Sequence, residues 1–436
     1  MKPSEPPTAP TAPIAARSAT ALVIASMIGV GVFTTSGFAL HDLGSRGAVL
    51  LAWLAGGAIA LCGALSYGAL ALRFPDSGGE YEYLRRTLHP TAGTAAGLVS
   101  MVAGFGAPLA AAAHLLQVYG CRCLAIGEPT QPWVGTVAIV LAAWLHGRRV
   151  ELGTRLQDRV VAAKLALMAL FLIASLRLFG RAPTHAAPPV ASPWRGLVAS
   201  MPWIYLAYSG WNASAYIAGE VVDARRNVPR AMVHGCLLVT ALYLALNAVF
   251  LWSVDGSELV GRPEVAAIAA RALLGRPGEL LVTATVSLAL LTSILGMTMA
   301  GPRVVARMAD DGALPRALGT VAGQPPRAAI VAQAAIALLF LWATGLQQLM
   351  TYIGWTLSLC AAAAVVGLVR VRLREGGEAV ACRGWPWVPI VFVGAVLWFA
   401  IGAVVAAPRD SLLALGTVVA AASLAHLLGR RRADRA

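Results

Sequence analysis

The chain has 436 residues, of which 58% are hydrophobic and only 12% charged, whereas an average soluble domain carries about 25% charged residues. That composition excludes a soluble domain and marks a polytopic membrane protein. The formal net charge of +14 invites a nucleic-acid partner, but the basic residues sit in short loops between apolar runs and not on one amphipathic face, so no nucleic acid is expected.

The amino-terminal stretch Lys2 to Pro13 is rich in Pro and Thr, which predicts a disordered tail over 1–16. It lacks the features of a cleaved signal peptide. A membrane span needs about 20 apolar residues. Twelve such segments follow, at 18–40, 47–72, 92–120, 130–146, 157–179, 196–220, 231–254, 279–306, 327–344, 347–370, 386–406 and 411–428. They group as five spans in 17–180, five in 195–370, and two more in 384–429 before a short tail at 430–436. Cys62, Cys236 and Cys360 fall inside apolar runs, as small core residues do. Cys121-Arg122-Cys123 lies at a predicted loop and fits no metal or redox spacing. No metal and no cofactor is expected.

Orientation follows from Lys and Arg in the connecting loops. The loops on one side, together with both termini, hold 24 of the 34 basic residues, and the opposite loops hold 9. The remaining one, Lys164, lies inside a span. This bias predicts a multi-pass protein of the cell (inner) membrane with both termini cytoplasmic, and an even number of spans agrees.

The first span carries Ser26-Met27-Ile28-Gly29-Val30-Gly31 at its middle. Glycines two residues apart weaken a helix and let the backbone leave it. In a membrane that is tolerated only where the backbone is buried in protein or lines a cavity. Close helix packing by small residues is the competing explanation. The sixth span settles the balance, because Leu206, Tyr208, Ser209, Gly210, Trp211 and Asn212 place hydroxyl and amide groups around another mid-span glycine. It opens the second group of five spans as the first span opens the first group. Five is odd, so the two groups run in opposite senses. Paired broken helices in inverted halves point to a transporter's substrate site.

Six motifs then resemble the amino acid–polyamine–organocation (APC) superfamily, and most closely its L-amino-acid-transporter-like branch. Gly29-Val30-Gly31-Val32-Phe33 resembles the G-x-G-I/V-F element, and Pro75 to Tyr83 is similar to P-x-S-G-G-x-Y-x-Y. Gln157-Asp158 through Lys164-Leu165 resembles Q-D-(x)5-K-L, and Leu206 to Asn212 resembles F-A-Y-x-G-W-N. Glu220 through Ala231 and Arg303 through Pro315 are similar to the family's E-x-(x)n-N-x-P-R-A and R-x-(x)n-D-G-x-L-P elements. The chain departs at Leu206, where the family's gating Phe stands, and at Val30, where Ser is common. The resemblance implies an all-α fold of 12 transmembrane helices arranged as a LeuT-like 5+5 inverted repeat, with helices 1 and 6 discontinuous. It implies an amino acid as the small-molecule substrate.

A zwitterion needs partners for both charges in a low-dielectric slot. Free N–H groups at Val30 and Gly31 are the candidates for the carboxylate. Carbonyls at Ser26, Met27, Leu206 and Tyr208 are the candidates for the ammonium, with Ile28, Gly29, Ser209 and Gly210 completing the two breaks. Tyr208, Trp211 and Asn212 are expected to wall the side-chain pocket; ordinary packing is the alternative for the two aromatics. No acidic residue is near either break in the sequence, and the surroundings read as apolar, which predicts neutral substrates. Lys164 is either a functional intramembrane charge or a snorkelling lysine by its spacing. The resemblance implies the former, a coupling charge bridging spans one and eight with no sodium requirement, and Ser287, Thr292 and Ser293 are its possible neighbours. Glu220 and Arg230, with Arg225 and Arg226, read as cytoplasmic gate residues or as a solvated loop.

The function expected is secondary active transport of amino acids, as an exchanger or as a symporter using protons. A membrane-embedded amino-acid receptor or sensor is the alternative. No HExxH, GxSxG or P-loop signature is present, so no enzyme is expected. Partner subunits and oligomeric state are not readable from the sequence.

Overall fold

The computed structural model describes residues 14–29, 31–124, 126, 131–148, 150–176, 193–262, 264–321, 324–378, 380–406 and 408–433. Among them the chain is all-helical, with no β-sheet and two isolated bridges, Ile14 with Val221 and Val321 with Gln324. The predicted tail up to residue 13, and Val30, lie outside the described residues.

The first predicted span is two helices, α1 (Ala16–Met27) and α2 (Gly31–Leu43), with the backbone interrupted between them. α3 (Arg46–Arg73) starts at a Ser45 side chain that accepts from the Ala48 N–H. A short helix with a charged face, α4 (Glu80–Thr87), leads into α5 (Pro90–Val99), where Pro90 opens the helix without wasting a donor. A π-helical segment, Ser100–Gly106, joins α5 to α6 (Ala107–Cys123). The helix therefore carries Cys121 to Cys123, which the sequence placed in a loop. Next come α7 (Trp133–Arg148), α8 (Val150–Leu176) and α9 (Pro193–Ala207). Beyond α9 the sixth segment turns sharply and resumes as a 3-10 helix, Ala213–Glu220, held by three-residue bonds such as Ala215 N–H to Asn212 O at 2.9 Å.

α10 (Ala224–Trp252) and the single turn α11 (Gly256–Leu259) precede α12 (Val265–Asp310). α12 starts earlier than the predicted 279 because a further helix is joined to it across a break at Gly275, where φ is 66°. The chain closes with α13 (Arg327–Ala343), α14 (Leu346–Glu375), α15 (Trp387–Ala406) and α16 (Pro408–Ala433).

Among the described residues, seven helical stretches are long and apolar enough to cross a membrane, including Ala16–Leu43, Arg46–Arg73 and Val265–Asp310. The outward faces of these and the neighbouring helices expose Leu51, Leu54, Leu141, Ile173, Leu339 and Ile401. Such residues suit lipid, and helices satisfy their backbone donors internally, as a lipid environment demands. Small residues bring the helices close inside. A Cβ added at Gly57 of α3 would stand 2.5 Å from Cγ2 of Thr240 on α10, so the Thr240 side chain packs directly on the α3 backbone.

Candidate functional site

The two helix interruptions face each other. A Cβ on Gly31, the first residue of α2, would lie 2.5 Å from Ala207 Cβ and 2.9 Å from Ala207 Cα, at the last residue of α9. A Cβ on Gly210 would lie 2.6 Å from the Ser26 carbonyl oxygen, and Gly210 has φ 99°, a conformation that favours glycine. The breaks are therefore in contact at two points, and any larger residue at either glycine separates them.

A third contact fastens them. Tyr243 of α10 is fully buried, and its hydroxyl lies 2.7 Å from Met27 O and 3.0 Å from Ala207 O. One hydroxyl thus serves the closing carbonyls of both α1 and α9. Tyr243 is positioned in turn by a polar chain across the core. Asn247 Nδ2 donates to Tyr243 O at 2.8 Å, the Ser36 hydroxyl donates to Asn247 Oδ1, and Trp53 Nε1 donates to the Ser36 oxygen at 2.8 Å.

A cavity of about 310 Å³ opens beside the paired breaks. Ser26, Met27, Gly29 and Gly31 line it from one side, and Leu206, Ser209, Gly210, Trp211 and Asn212 line it from the other. Helix ends meet here: Gly31 at the amino end of α2 and Met27 and Ala207 at the carboxyl ends of α1 and α9 all line the cavity, where a helix amino end carries a positive dipole end and a carboxyl end presents carbonyls. Two of these carbonyls are partly engaged, Met27 O by Gly29 N–H at 2.9 Å and Leu206 O by Ser209 N–H at 2.9 Å.

Two expected residues sit elsewhere. Ile28 faces away from the cavity, and its carbonyl accepts from Lys164. Tyr208 does not wall the pocket. The last turn of α9 tightens to three-residue bonds (Tyr208 N–H to Tyr205 O, 3.0 Å), which swings Tyr208 into the core. There its ring packs on Trp53 and Tyr243, and its hydroxyl donates to Trp53 O at 2.9 Å. Tyr205 lines the cavity in its stead. Trp211 does line it, held edge-on by Tyr67 and Phe392.

Lys164 of α8 has no exposed surface. Its ammonium donates to Thr292 Oγ1 of α12 at 2.9 Å and to Ile28 O at the end of α1 at 3.3 Å. It does not snorkel; it ties the first break to α12. Thr292 is the neighbour, while the Ser287 hydroxyl is turned back to Thr283 O of its own helix at 3.0 Å, and Ser293 bonds Ala289 O at 3.1 Å.

The acidic inventory also differs from expectation. Glu80, from the start of α4, reaches the cavity floor and accepts from Asn212 Nδ2 at 2.7 Å, so a carboxyl group does stand beside the second break. Its 132-residue separation from Asn212 hid it. At the same end of the bundle Glu220 pairs with Arg303 through both oxygens, one contact at 2.9 Å. Arg230, read from the sequence as a gate residue or part of a solvated loop, is exposed and makes no ion pair among the described residues, and Arg225 and Arg226 are likewise exposed. The remaining charges interlock. Glu82 is buried against Arg85 at 2.9 Å and also contacts Arg86, and Asp311 meets Arg307 at 3.4 Å and the Tyr81 hydroxyl at 2.8 Å. Ile14 completes the seal, donating its N–H to Glu220 O at 2.7 Å and accepting from Val222 N–H at 3.0 Å.

A family model described as amino acid permease matches residues 14–421. The chain belongs to the amino acid permease family. The permease is 27% identical over 373 residues to the large neutral amino acids transporter small subunit 2 of Homo sapiens, covering 82% of this chain and 69% of that protein. It is 28% identical over 374 residues to the human Asc-type amino acid transporter 1, covering 82% and 71%. It is 25% identical over 368 residues to the human b(0,+)-type amino acid transporter 1, covering 81% and 75%. These relatives are transporters, not enzymes, and the APC resemblance read from the motifs is borne out. The motifs named Glu80 and Arg303 without assigning them partners. Tyr243 left no signal beyond being a tyrosine within an apolar run.

Proposed function

We propose that this permease is a secondary carrier for neutral amino acids, working by alternating access in the cell membrane as an exchanger or a proton symporter. The observation that carries the reading is the pair of touching helix breaks beside a cavity of about 310 Å³. The amino end of α2 at Gly31 takes the substrate carboxylate. The carbonyls of Ser26, Met27, Leu206 and Tyr208 surround the position for the ammonium, and Trp211 and Asn212 bound the side chain. A mostly apolar lining with small residues supports a neutral side chain. Lys164 holds a fixed or proton-carrying positive charge where the first break meets α12, in place of a bound cation.

The proposal includes twelve membrane helices in two inverted groups of five followed by a final pair, with both termini cytoplasmic. The ion pairs of Glu220, Glu82 and Asp311 and the Ile14 strap then close the cytoplasmic end, and the cavity lies toward the outside. Glu220 is a gate residue in this reading, with Arg303 as its partner. One relative is named a small subunit; reconstituting this chain alone asks whether it suffices.

Purified protein in liposomes is expected to take up a labelled neutral amino acid, and Gly31→Leu to abolish uptake while expression persists. Ligand-protected melting with no flux in liposomes would replace the carrier with a receptor. Uptake that needs internal amino acid and ignores a proton gradient identifies an exchanger.

A further inference from the structure

The cavity floor holds one carboxyl group that lacks an assigned task. Glu80 is 2% exposed. Its Oε1 accepts from the Tyr67 hydroxyl at 2.9 Å and from Asn212 Nδ2 at 2.7 Å. Its Oε2 is buried and has no hydrogen-bond partner. No Lys or Arg pairs with it among the described residues; the basic side chains of its own helix, Arg85 and Arg86, turn to Glu82. The titratable groups that face it are neutral ones: Tyr67 of α3, Tyr83 of α4, Tyr205 of α9, Tyr216 of the 3-10 segment and Cys360 of α14.

An ionised carboxylate here leaves a charged oxygen buried and unpartnered, an expensive arrangement. A cationic ligand group or a proton could neutralise it. The geometry separates the two. Oε1 already takes two donors, and Oε2 is sealed from the cavity, so an ammonium or guanidinium cannot touch it. A proton needs no open surface at the acceptor, and the hydroxyl of Tyr216, a residue that lines the cavity and faces the carboxyl group, can hand one over. We propose that Glu80 is a proton-binding site of the carrier, with Oε2 taking a proton from the compartment the cavity faces and releasing it to the opposite one. This rests on the carrier reading given above, and it selects symport from the two coupling modes. Burial raises the Glu80 carboxyl above the ordinary carboxylate range, and the side-chain hydrogen bonds it accepts oppose that rise.

The test uses full-length protein in liposomes with a pH-sensitive dye in the lumen. With the wild type, addition of a labelled neutral amino acid at acidic external pH is expected to acidify the lumen as uptake proceeds. Glu80→Gln keeps an oxygen for Tyr67 and Asn212 and imitates the protonated form. Its substrate-driven acidification is expected to be lost, and whatever counterflow it retains is expected to be independent of pH. Infrared spectroscopy of the solubilised protein gives a readout without transport: a buried, protonated carboxyl band at neutral pH in the wild type, missing in Glu80→Gln. Isotope-labelled glutamate assigns the band if that variant does not fold. Absence of the band, or acidification by Glu80→Gln equal to wild type, overturns the proposal. A band without any amino acid flux by the wild type sinks the carrier reading and leaves the protonated Glu80 standing.

Discussion

Gly29 and Gly31 lie two residues apart in one break, yet the structure gives them opposite tolerances. A Cβ at Gly31 would stand 2.5 Å from Ala207 Cβ and 2.9 Å from Ala207 Cα, and a Cβ at Gly29 would have nothing within 4 Å. Favourable carbon–carbon contact lies at about 3.5–4.0 Å. Gly31→Ala therefore pushes α2 and α9 apart by about 1 Å, against backbone that cannot rotate away. Overpacking of this kind costs about 1–3 kcal/mol. If that cost falls on the state that carries substrate, at about 1.4 kcal/mol per factor of ten, uptake falls roughly 5- to 150-fold. Gly29→Ala should stay within about twofold of wild type, the range of a substitution that meets nothing. Initial rates of labelled amino acid uptake in liposomes, normalised to inserted protein, measure both. Wild-type rates from Gly31→Ala, or equal losses from the two alanines, would refute the close contact between the breaks as the basis of the site.

Lys164→Met preserves length and removes the ammonium that joins Ile28 O to Thr292; uptake should drop at least about tenfold, since each buried partner left unsatisfied costs about 1–3 kcal/mol. Thr292→Val should impair uptake in the same direction and Ser287→Ala should not, and equal effects would remove Thr292 as the specific partner. Tyr208→Phe loses the bond to Trp53 O, so a lower melting temperature is expected, by a net cost of about 1 kcal/mol, with an unchanged substrate KM; a large KM change would return Tyr208 to the pocket wall. Glu220→Gln leaves Arg303 buried without its counter-charge, and increased thiol labelling of cysteines introduced at that end of the bundle is the expected readout. Arg230→Gln should be silent in the same assay, and the reverse ranking would restore Arg230 as a gate residue.

Local chemistry explains which features were legible in the sequence. The helix breaks were, because two mid-span glycines with hydroxyl and amide neighbours open the two groups of five spans; either one alone also fits close helix packing. Lys164 was, because a lysine inside an apolar span is conspicuous in a chain where Lys2 is the only other lysine. Its partner was not, since Ser287, Thr292 and Ser293 are alike in sequence and only the helix rotation separates them. Tyr208 was misplaced because a one-residue tightening of a helical turn redirects a side chain, and sequence spacing does not register it. The Glu80–Asn212 and Glu220–Arg303 pairs span 132 and 83 residues. Nothing local marks either pair, and Arg230 was grouped with Glu220 because it is near in the chain.

The hydroxyl of Tyr243 can be considered as a count of hydrogens. It has one, and two carbonyl oxygens, Met27 O and Ala207 O, lie within its reach. At any instant one of them holds the hydrogen, and Met27 O keeps the Gly29 N–H as a second donor when the hydroxyl turns to Ala207. The junction between the two helix breaks is thus a shared bond, in which a hydrogen given to one helix end is withdrawn from the other. In the proposed carrier an ammonium group beside it would bring three donors and leave the hydroxyl free to stay with one helix.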